Sequence, residues 1–374
     1  MLLKDCIEIK NGKDYSDLSK GDIPVYGTGG VFKYVDHYLY DGSALLLPRK
    51  GSLNNVMYIE QGKFWTVDTM FYAICKNNEA NLKYIYYYLT LFNIAKLDVG
   101  STIPSMTASL YYQIDIPLPN IQTQNKIVEV LSNIDSQINR NNHISKSLQV
   151  LAQTTYSRWF NQFDFPNEDG LPYKSSGGKM IWNDELKQEI PEDWSAKTLG
   201  DLLTKNTEKL RDYNDIPTID LSVMQSDNIA LGELNTSNNF STNLFVMHKG
   251  DLMFGSIRPY LHKAGIAPCD GAFAGTVHSY RPIDDIDYNI CLSALTNNDI
   301  FSFAVKNAKG TKMPVIASDD LLQYKIPYNK SVSKQFTKLL DIKNIVCNCM
   351  MQNNMLIQLK NNILPLLING QLNI

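Results

Sequence analysis

The sequence lacks any run of eighteen apolar residues; its most apolar window, residues 82–97, is interrupted by Lys83, Asn93 and Lys96. A membrane-spanning helix needs about 20 such residues, so none is expected. The start, Met1-Leu2-Leu3-Lys4-Asp5, has neither the basic flank nor the apolar core of a secretory signal, and the expectation is a cytoplasmic protein. Cysteine is sparse and scattered: Cys6, Cys75, Cys269, Cys291, Cys347 and Cys349 form no CxxC pair, and the five histidines do not cluster with them. That argues against zinc and against structural disulfides. Positive charge is not in excess either, since 35 Lys and Arg face 38 Asp and Glu. Any nucleic-acid surface must therefore be local, because whole-domain electrostatics cannot supply it.

Three enzyme signatures are also missing. No polar-Pro-Pro-aromatic tetrapeptide, the kind that meets a flipped adenine, occurs in the chain. The glycine cluster Gly27-Thr28-Gly29-Gly30 has no Gly-Lys-Ser/Thr after it and no Rossmann spacing, so it reads as a turn. Asp41, Glu60 and Asp68 do not form the acidic-x-Lys pairing of a nuclease metal site. The expectation is a chain with no catalytic residues and no metal or cofactor of its own.

What the sequence does contain is a long internal repeat. Leu3-x-Asp5 and Asn11-Gly12-Lys13 correspond to Leu199-Gly200-Asp201 and Thr207-Glu208-Lys209, and Asp22-Ile23-Pro24 to Asp215-Ile216-Pro217. The run from Gly42 to Arg49-Lys50 parallels that from Gly250 to Arg258, each an apolar strand running into a basic loop. Gly100-Ser-Thr-Ile-Pro104 matches Gly310-Thr-Lys-Met-Pro314, and Tyr112-Gln-Ile-Asp-Ile-Pro117 matches Leu322-Gln-Tyr-Lys-Ile-Pro327. From the first of these glycines to the second is 58 residues in one copy and 60 in the other, but from Asp22 to Gly42 is 20 against 35 from Asp215 to Gly250. One frame with one lengthened surface segment is the pattern of two modules that recognise different things. Strands are expected at residues 44–47 and 71–74, with a helix at 82–96.

Each copy runs into a long helical stretch. From Gln122 to Phe160 there is no Gly or Pro, and a helix of that length spans about 57 Å. Its apolar positions step by four and three through Ile127, Leu131, Ile134 and Ile138, pass the polar Asn141, and resume at Leu148. The second copy offers Leu339, Ile342, Val346, Asn353, Leu356 and Ile363 before Pro365, where the helix is expected to end or kink. Two such seams in one chain predict antiparallel pairing, with Asn141 opposite Asn353 fixing the register and the helices acting as a spacer. The divisions read from the sequence are residues 1–118, a first recognition domain; 119–162, a first spacer helix; 163–190, a loop-rich connector; 191–328, a second recognition domain; and 329–374, a second spacer helix with a tail. The fold class is α+β: two mixed α/β domains separated by two long antiparallel coiled-coil helices.

These residues together resemble the specificity subunit of type I restriction-modification systems, over essentially the whole chain. The resemblance rests on the duplication, the Gly100-to-Pro104 and Gly310-to-Pro314 segments, the Ile116-Pro-Leu-Pro119 entry into a helix bearing Gln124, and the connector from Trp159-Phe160 through Tyr173-Lys-Ser-Ser-Gly-Gly178. Two departures stand out. Ile190-Pro-Glu-Asp-Trp194 introduces the second copy but nothing like it precedes the first, and Lys334-Gln335 matches Gln124 only with an offset of about one residue. The resemblance implies a non-catalytic reader of an interrupted double-stranded DNA target, with its helices docking two methyltransferase subunits and restriction (motor and nuclease) subunits joining that complex. S-adenosylmethionine, ATP and Mg are then expected on the partners only. A protein-interaction scaffold, or the reading subunit of another restriction-modification architecture, are the alternatives.

Bases are read by long polar side chains on loops, and phosphates by basic ones. Residues 1–116 hold eleven Lys and Arg against twelve Asp and Glu, so only a local cluster can serve. Arg49-Lys50 and, in the second copy, Arg258 with Lys263 are the leading candidates, because the repeat sets a basic loop there twice. Lys33, Tyr34, Ser101, Thr102, Thr311 and Lys312 follow.

Overall fold

The computed structural model describes all residues except 99, 101, 102, 373 and 374. The chain divides into two compact units, Met1–Ser136 with Ile357–Ile374, and Gln137–Leu356.

In the first unit, the short helix α1 (Leu3–Cys6) leads into β1 (Ile7–Asn11), β2 (Lys20–Gly27), β3 (Gly30–Val35), β4 (Tyr40–Asp41), β5 (Ala44–Pro48), β6 (Met57–Ile59), β7 (Lys63–Thr66) and β8 (Met70–Cys75). They form two four-stranded sheets, ordered β1-β8-β5-β6 and β3-β2-β7-β4. The β2–β7 pair is parallel and the remaining pairs are antiparallel. Every residue of β5 is buried, as a strand covered on both faces should be. Helix α2 (Leu82–Leu91) starts at Asn81, whose side chain accepts from the backbone N–H of Lys83 and Tyr84 and so satisfies two otherwise orphaned donors. The 3-10 turn Ile94–Leu97 and α3 (Ala108–Tyr112) follow. The expected helix at 82–96 is thus broken after Leu91, where Phe92 turns extended.

Helix α4 (Ile121–Tyr156) is continuous, about 54 Å at 1.5 Å per residue. A π-helical turn, Ser157–Asn161, ends it. The connector is more ordered than its loop signals suggested: it holds a hairpin of β9 (Met180–Asn183) and β10 (Gln188–Pro191). It is pinned by an aromatic cluster in which Phe160, Phe163 and Phe165 each pack on Trp194, at centroid distances of 5.4, 5.4 and 5.2 Å.

The second unit repeats both four-stranded sheets of the first. Its strands are β11 (Ser195–Thr198), β12 (Leu203–Lys205), β13 (Pro217–Ile219), β14 (Asn235–Thr236), β15 (Leu244–Met247), β16 (Leu252–Gly255), β17 (Ala264–Ile266), β18 (Gly271–Ala274) and β19 (Val277–Pro282). The sheets run β12-β19-β16-β17 and β14-β13-β18-β15, with a parallel β13–β18 pair in the place of β2–β7. Helices α5 (Tyr288–Thr296), α6 (Asn298–Asn307) and α7 (Ser318–Leu321) lead to β20 (Lys325–Tyr328), which pairs with β11. Gly42 and Gly250, one before each central strand, share a positive φ, 138° and 89°, a conformation that favours glycine.

The second long helix departs from expectation. It is two helices, α8 (Lys330–Leu339) and α9 (Ile342–Ile368), separated by the extended Leu340. The break is held by Asn289 of α5, whose side-chain amide donates to the carbonyls of Phe336 (3.1 Å) and Leu340 (2.9 Å). Those carbonyls would otherwise be orphans of the last turn. Leu339 therefore lies outside the seam and is 58% exposed. Pro365, by contrast, sits inside α9 without ending it.

Within each unit the helices meet in antiparallel order. In the first, Ile127 and Leu131 share a core with Leu364, Leu367 and Ile368, with Ile363 packed against it, and Lys360 Nζ meets Asp135 Oδ1 at 2.6 Å. Ile134 is buried beside them. In the second, Asn141 Nδ2 donates to Asn353 Oδ1 at 2.9 Å, and Asn353 Nδ2 donates to Asn142 Oδ1 at 2.8 Å. Ile342 and Val346 are fully buried in this unit's core, with Leu148 against it, while Ile138 and Leu356 are half-buried.

Gln124 and its counterpart lock helix starts to the domains. Gln124 is fully buried; its amide donates to the Glu79 and Pro119 carbonyls and its oxygen accepts from Asn81 N–H. Counting from the caps Asn120 and Asn329, the matching position is Ser333 rather than Lys334 or Gln335. Ser333 Oγ donates to Asp287 Oδ1 at 2.7 Å. Burial raises the Asp287 carboxyl above its ordinary range, against the lowering effect of the Ser333 and Tyr328 hydroxyls.

Candidate nucleic-acid interface

In the first domain the rim is built where β5 leaves the sheet. Arg49 and Lys50 both donate their backbone N–H to the Thr69 carbonyl, at 2.9 and 3.2 Å, and Gly51 N–H donates to Pro104 O at 2.9 Å. These bonds bring the β5–β6 loop, the β7–β8 turn and the segment after Gly100 to one edge. Asp98 Oδ1 accepts from the N–H groups of Gly100 and Ser105, both at 2.7 Å, which holds its carboxyl below the usual range. Arg49 and Lys50 are exposed; the Arg49 guanidinium lies 5.7 Å from the Phe71 ring centroid and donates to Asp68 O at 3.3 Å. Lys33 is half-buried with its ammonium over the Tyr15 ring, and Tyr34 is exposed. A concavity of about 470 Å³ between Gly27–Gly30, Tyr15, Phe32 and Val67–Thr69, and another of about 510 Å³ beside Gly51–Asn55, open on this rim. Ser101 and Thr102 lie outside the described residues.

The second domain builds the same edge with other side chains. Arg258 N–H donates to Pro314 O at 2.8 Å, the bond that Gly51 makes to Pro104. The Ile257–Val315 bridge likewise takes the place of Lys50–Ser105. The strand registers agree, since Leu45 faces Ala73 as Leu252 faces Tyr280. Arg258 therefore matches Gly51, one step on from the Lys50 that the sequence alignment set beside it. Both occupy the left-handed region, with φ of 90° at Gly51 and 52° at Arg258.

Lys263 corrects the pairing in another way. Its ammonium turns inward to the Leu221 carbonyl at 2.7 Å and the residue is half-buried, so it is not a free basic group on the rim. Thr311 and Lys312 stand exposed at the tip of a turn closed by reciprocal Lys309–Val315 backbone bonds of 2.9 Å. Among the described residues no carboxylate forms an ion pair with Arg49, Lys50, Arg258 or Lys312.

The segment that lengthens the second copy folds over the α4 helix. Lys146 Nζ and Gln149 Nε2 both donate to Asp227 O, at 2.6 and 3.2 Å, and Ile229 N–H donates to Gln149 Oε1 at 3.3 Å. From there Asp227 Oδ1 meets His262 Nδ1 at 3.0 Å, and the His262 ring stacks on Phe301 at 4.4 Å. Sequence reasoning missed this chain and the exposed Tyr260 between Arg258 and His262. Pro259 directly after Arg258, at the first position of a 3-10 turn, was the one local signal available.

Among the described residues no group of His, Cys, Asp and Glu is placed to hold a metal, and no helix is long and apolar enough to cross a membrane. Residues 1–150 match the family model of the type I restriction modification DNA specificity domain. The chain is 31% identical over 125 residues to the type I restriction enzyme MjaIX specificity subunit of Methanocaldococcus jannaschii; the matched stretch is 32% of this chain and 27% of that protein. It is 23% identical over 352 residues to the type I restriction enzyme EcoDI specificity subunit of Escherichia coli, 87% of this chain and 76% of the relative. A crystal structure of a type I restriction-modification system S subunit from M. genitalium matches with a TM-score of 0.60 at 16% identity, over 98% of this chain and 95% of the other. That last likeness is one of fold. The chain is thus related in sequence, and alike in fold, to type I specificity subunits, as its motifs suggested.

Proposed function

We propose that this chain, given its kinship with type I specificity subunits, is the DNA-reading subunit of a restriction-modification complex. Each domain reads one half of an interrupted, asymmetric duplex target, and the paired helices set the interval and dock two methyltransferase subunits, through which restriction subunits join. The carrying observation is the duplication of both four-stranded sheets with edge loops that carry different exposed basic side chains, Arg49 and Lys50 in one copy, Arg258 and Lys312 in the other. A reader of two different half-sites needs one frame with two loop chemistries. Affinity would come from phosphate neutralisation by basic side chains on the edge loops, Arg49, Lys50 and Lys312 among them, and would fall steeply with salt. The chain has no catalytic role in this reading: S-adenosylmethionine, ATP and Mg belong to the partners, and the complex works in the cytoplasm.

The test is to reconstitute the chain with the methyltransferase subunit of its own organism, methylate genomic DNA and map the modified bases by single-molecule sequencing. An interrupted, asymmetric motif is expected. A stable complex that modifies DNA without any motif would favour the protein-interaction scaffold, and methyl transfer by the purified chain alone would overturn the non-catalytic assignment.

A further inference from the structure

The β16–β17 turn is built unlike its counterpart. Gly51 adopts the left-handed conformation without cost, whereas Arg258 carries a Cβ into it, and His262, four residues on, does so again at φ 51°. Non-glycine residues persist there only when their surroundings hold them. Here Arg258 N–H is fixed to Pro314 O, its carbonyl accepts from Leu261 N–H at 2.9 Å, and Pro259 is buried beneath the turn. His262 is held by Asp227 and Phe301. The backbone of Arg258 is thus immobilised at both ends, while its guanidinium is exposed and pairs with no carboxylate among the described residues. Nothing in the packing requires an arginine at a position that its counterpart fills with glycine.

Resting on the reading above, we infer that Arg258 is a specificity-determining residue that contacts a guanine in the major groove of the second domain's half-site. A guanidinium on a fixed stem makes two parallel, in-plane hydrogen bonds to guanine O6 and N7, an acceptor pair that no other base offers; a lysine ammonium can reach the same pair but without the planar fork. A rigid backbone suits this role, because a freely moving arginine spends its donors on phosphates of any sequence. The first domain, with glycine there, has no equivalent reader and must read its half-site with other groups.

The experiment compares the wild-type chain with R258G and R258K, each in complex with the methyltransferase subunit. Binding is measured on duplexes carrying the motif mapped for the wild type, and on the same duplexes with each base pair replaced in turn. R258G restores the Gly51 geometry, so its melting temperature should equal or exceed the wild type's and its loss cannot be ascribed to misfolding. R258G is expected to lose roughly ten- to hundredfold in discrimination at one G·C pair of one half-site and R258K to keep part of it, both leaving the other half-site as read before. Uniform weakening on all sequences with a shallower salt dependence would mean a phosphate contact and overturn the inference, as would a second half-site without guanine. An absent wild-type motif would instead defeat the reading it rests on.

Discussion

The two duplicated domains share the same pair of four-stranded sheets, yet they attach to their long helices and finish their edge loops differently. In the first, α2 presents Tyr87, whose hydroxyl donates to Asp135 of an unbroken α4 at 2.7 Å. In the second, counting from the helix caps Asn81 and Asp287, Asn289 stands where the first domain has Lys83, and it caps the interrupted α8 instead. Lys83 reaches away, over Tyr58 and towards Glu60 at 3.5 Å. The edge loops diverge in the same manner. The Asn54 and Asn55 side-chain amides bond locally, to Asn93, Ala95 and Thr28, while the exposed Arg258 guanidinium pairs with no carboxylate among the described residues. A duplicated frame is therefore defined by its buried hydrogen-bond ladders, and the side chains beyond those ladders are free to diverge.

The strongest way to break this comparison is to exchange the domains. Replacing residues 191–328 with the corresponding segment of a relative should change one half of the methylated motif completely and leave the other untouched. If both halves moved, modularity would be refuted. Next in size, Asn289→Ala leaves two carbonyls at the α8 end without their donor and should cost about 2–3 kcal/mol. The matching Lys83→Ala removes an exposed pair worth less than about 1 kcal/mol. Denaturant unfolding of both variants reads the difference, and equal losses would deny Asn289 its capping role.

A smaller effect is expected at the helix pair. Asn141→Leu with Asn353→Leu should alter stability by only about 1 kcal/mol but leave the register less unique. Cysteine cross-links across the two helices should then appear at more than one offset, and a single unchanged offset would show that the apolar positions suffice. The smallest prediction concerns the two plugs between domain and helix, of which Asn81–Gln124 is neutral and Asp287–Ser333 ionisable. Because burial raises the Asp287 pKa, the folded state keeps a proton that the unfolded chain has released. The stabilising contribution is present below the ordinary carboxylate pKa and is lost as pH rises through the raised value. Asp287→Asn should therefore gain in melting temperature relative to wild type at pH 7 more than at pH 4, whereas Asn81→Ala should show no such pH dependence.

Much of the frame was legible. Strands at 44–47 and 71–74, the unbroken helix from 122 and the facing of Asn141 and Asn353 follow from alternation, from the lack of Gly and Pro, and from a polar gap in an apolar seam. The same seam misled at Leu339, because its periodicity ran through a helix break whose cause, Asn289, lies some fifty residues earlier in the chain. The inward turn of Lys263 was not legible for a similar reason: its partner is a carbonyl in the lengthened segment, and a charge count does not show which way an ammonium turns. The alignment of Arg258 with Lys50 slipped by one because matching strand-end residues ignores which backbone bond each makes.

The sequence by itself determined the duplication, the kinship, the two long helical stretches and the lengthened loop, since each is written in local order, periodicity and spacing. Only the tertiary structure decided where the second helix breaks, that Arg258 takes the left-handed place of Gly51, and that residues 227–229 clamp α4. Those outcomes depend on hydrogen bonds between groups some fifty to eighty residues apart, and a buried donor or acceptor takes whichever partner the fold brings to it.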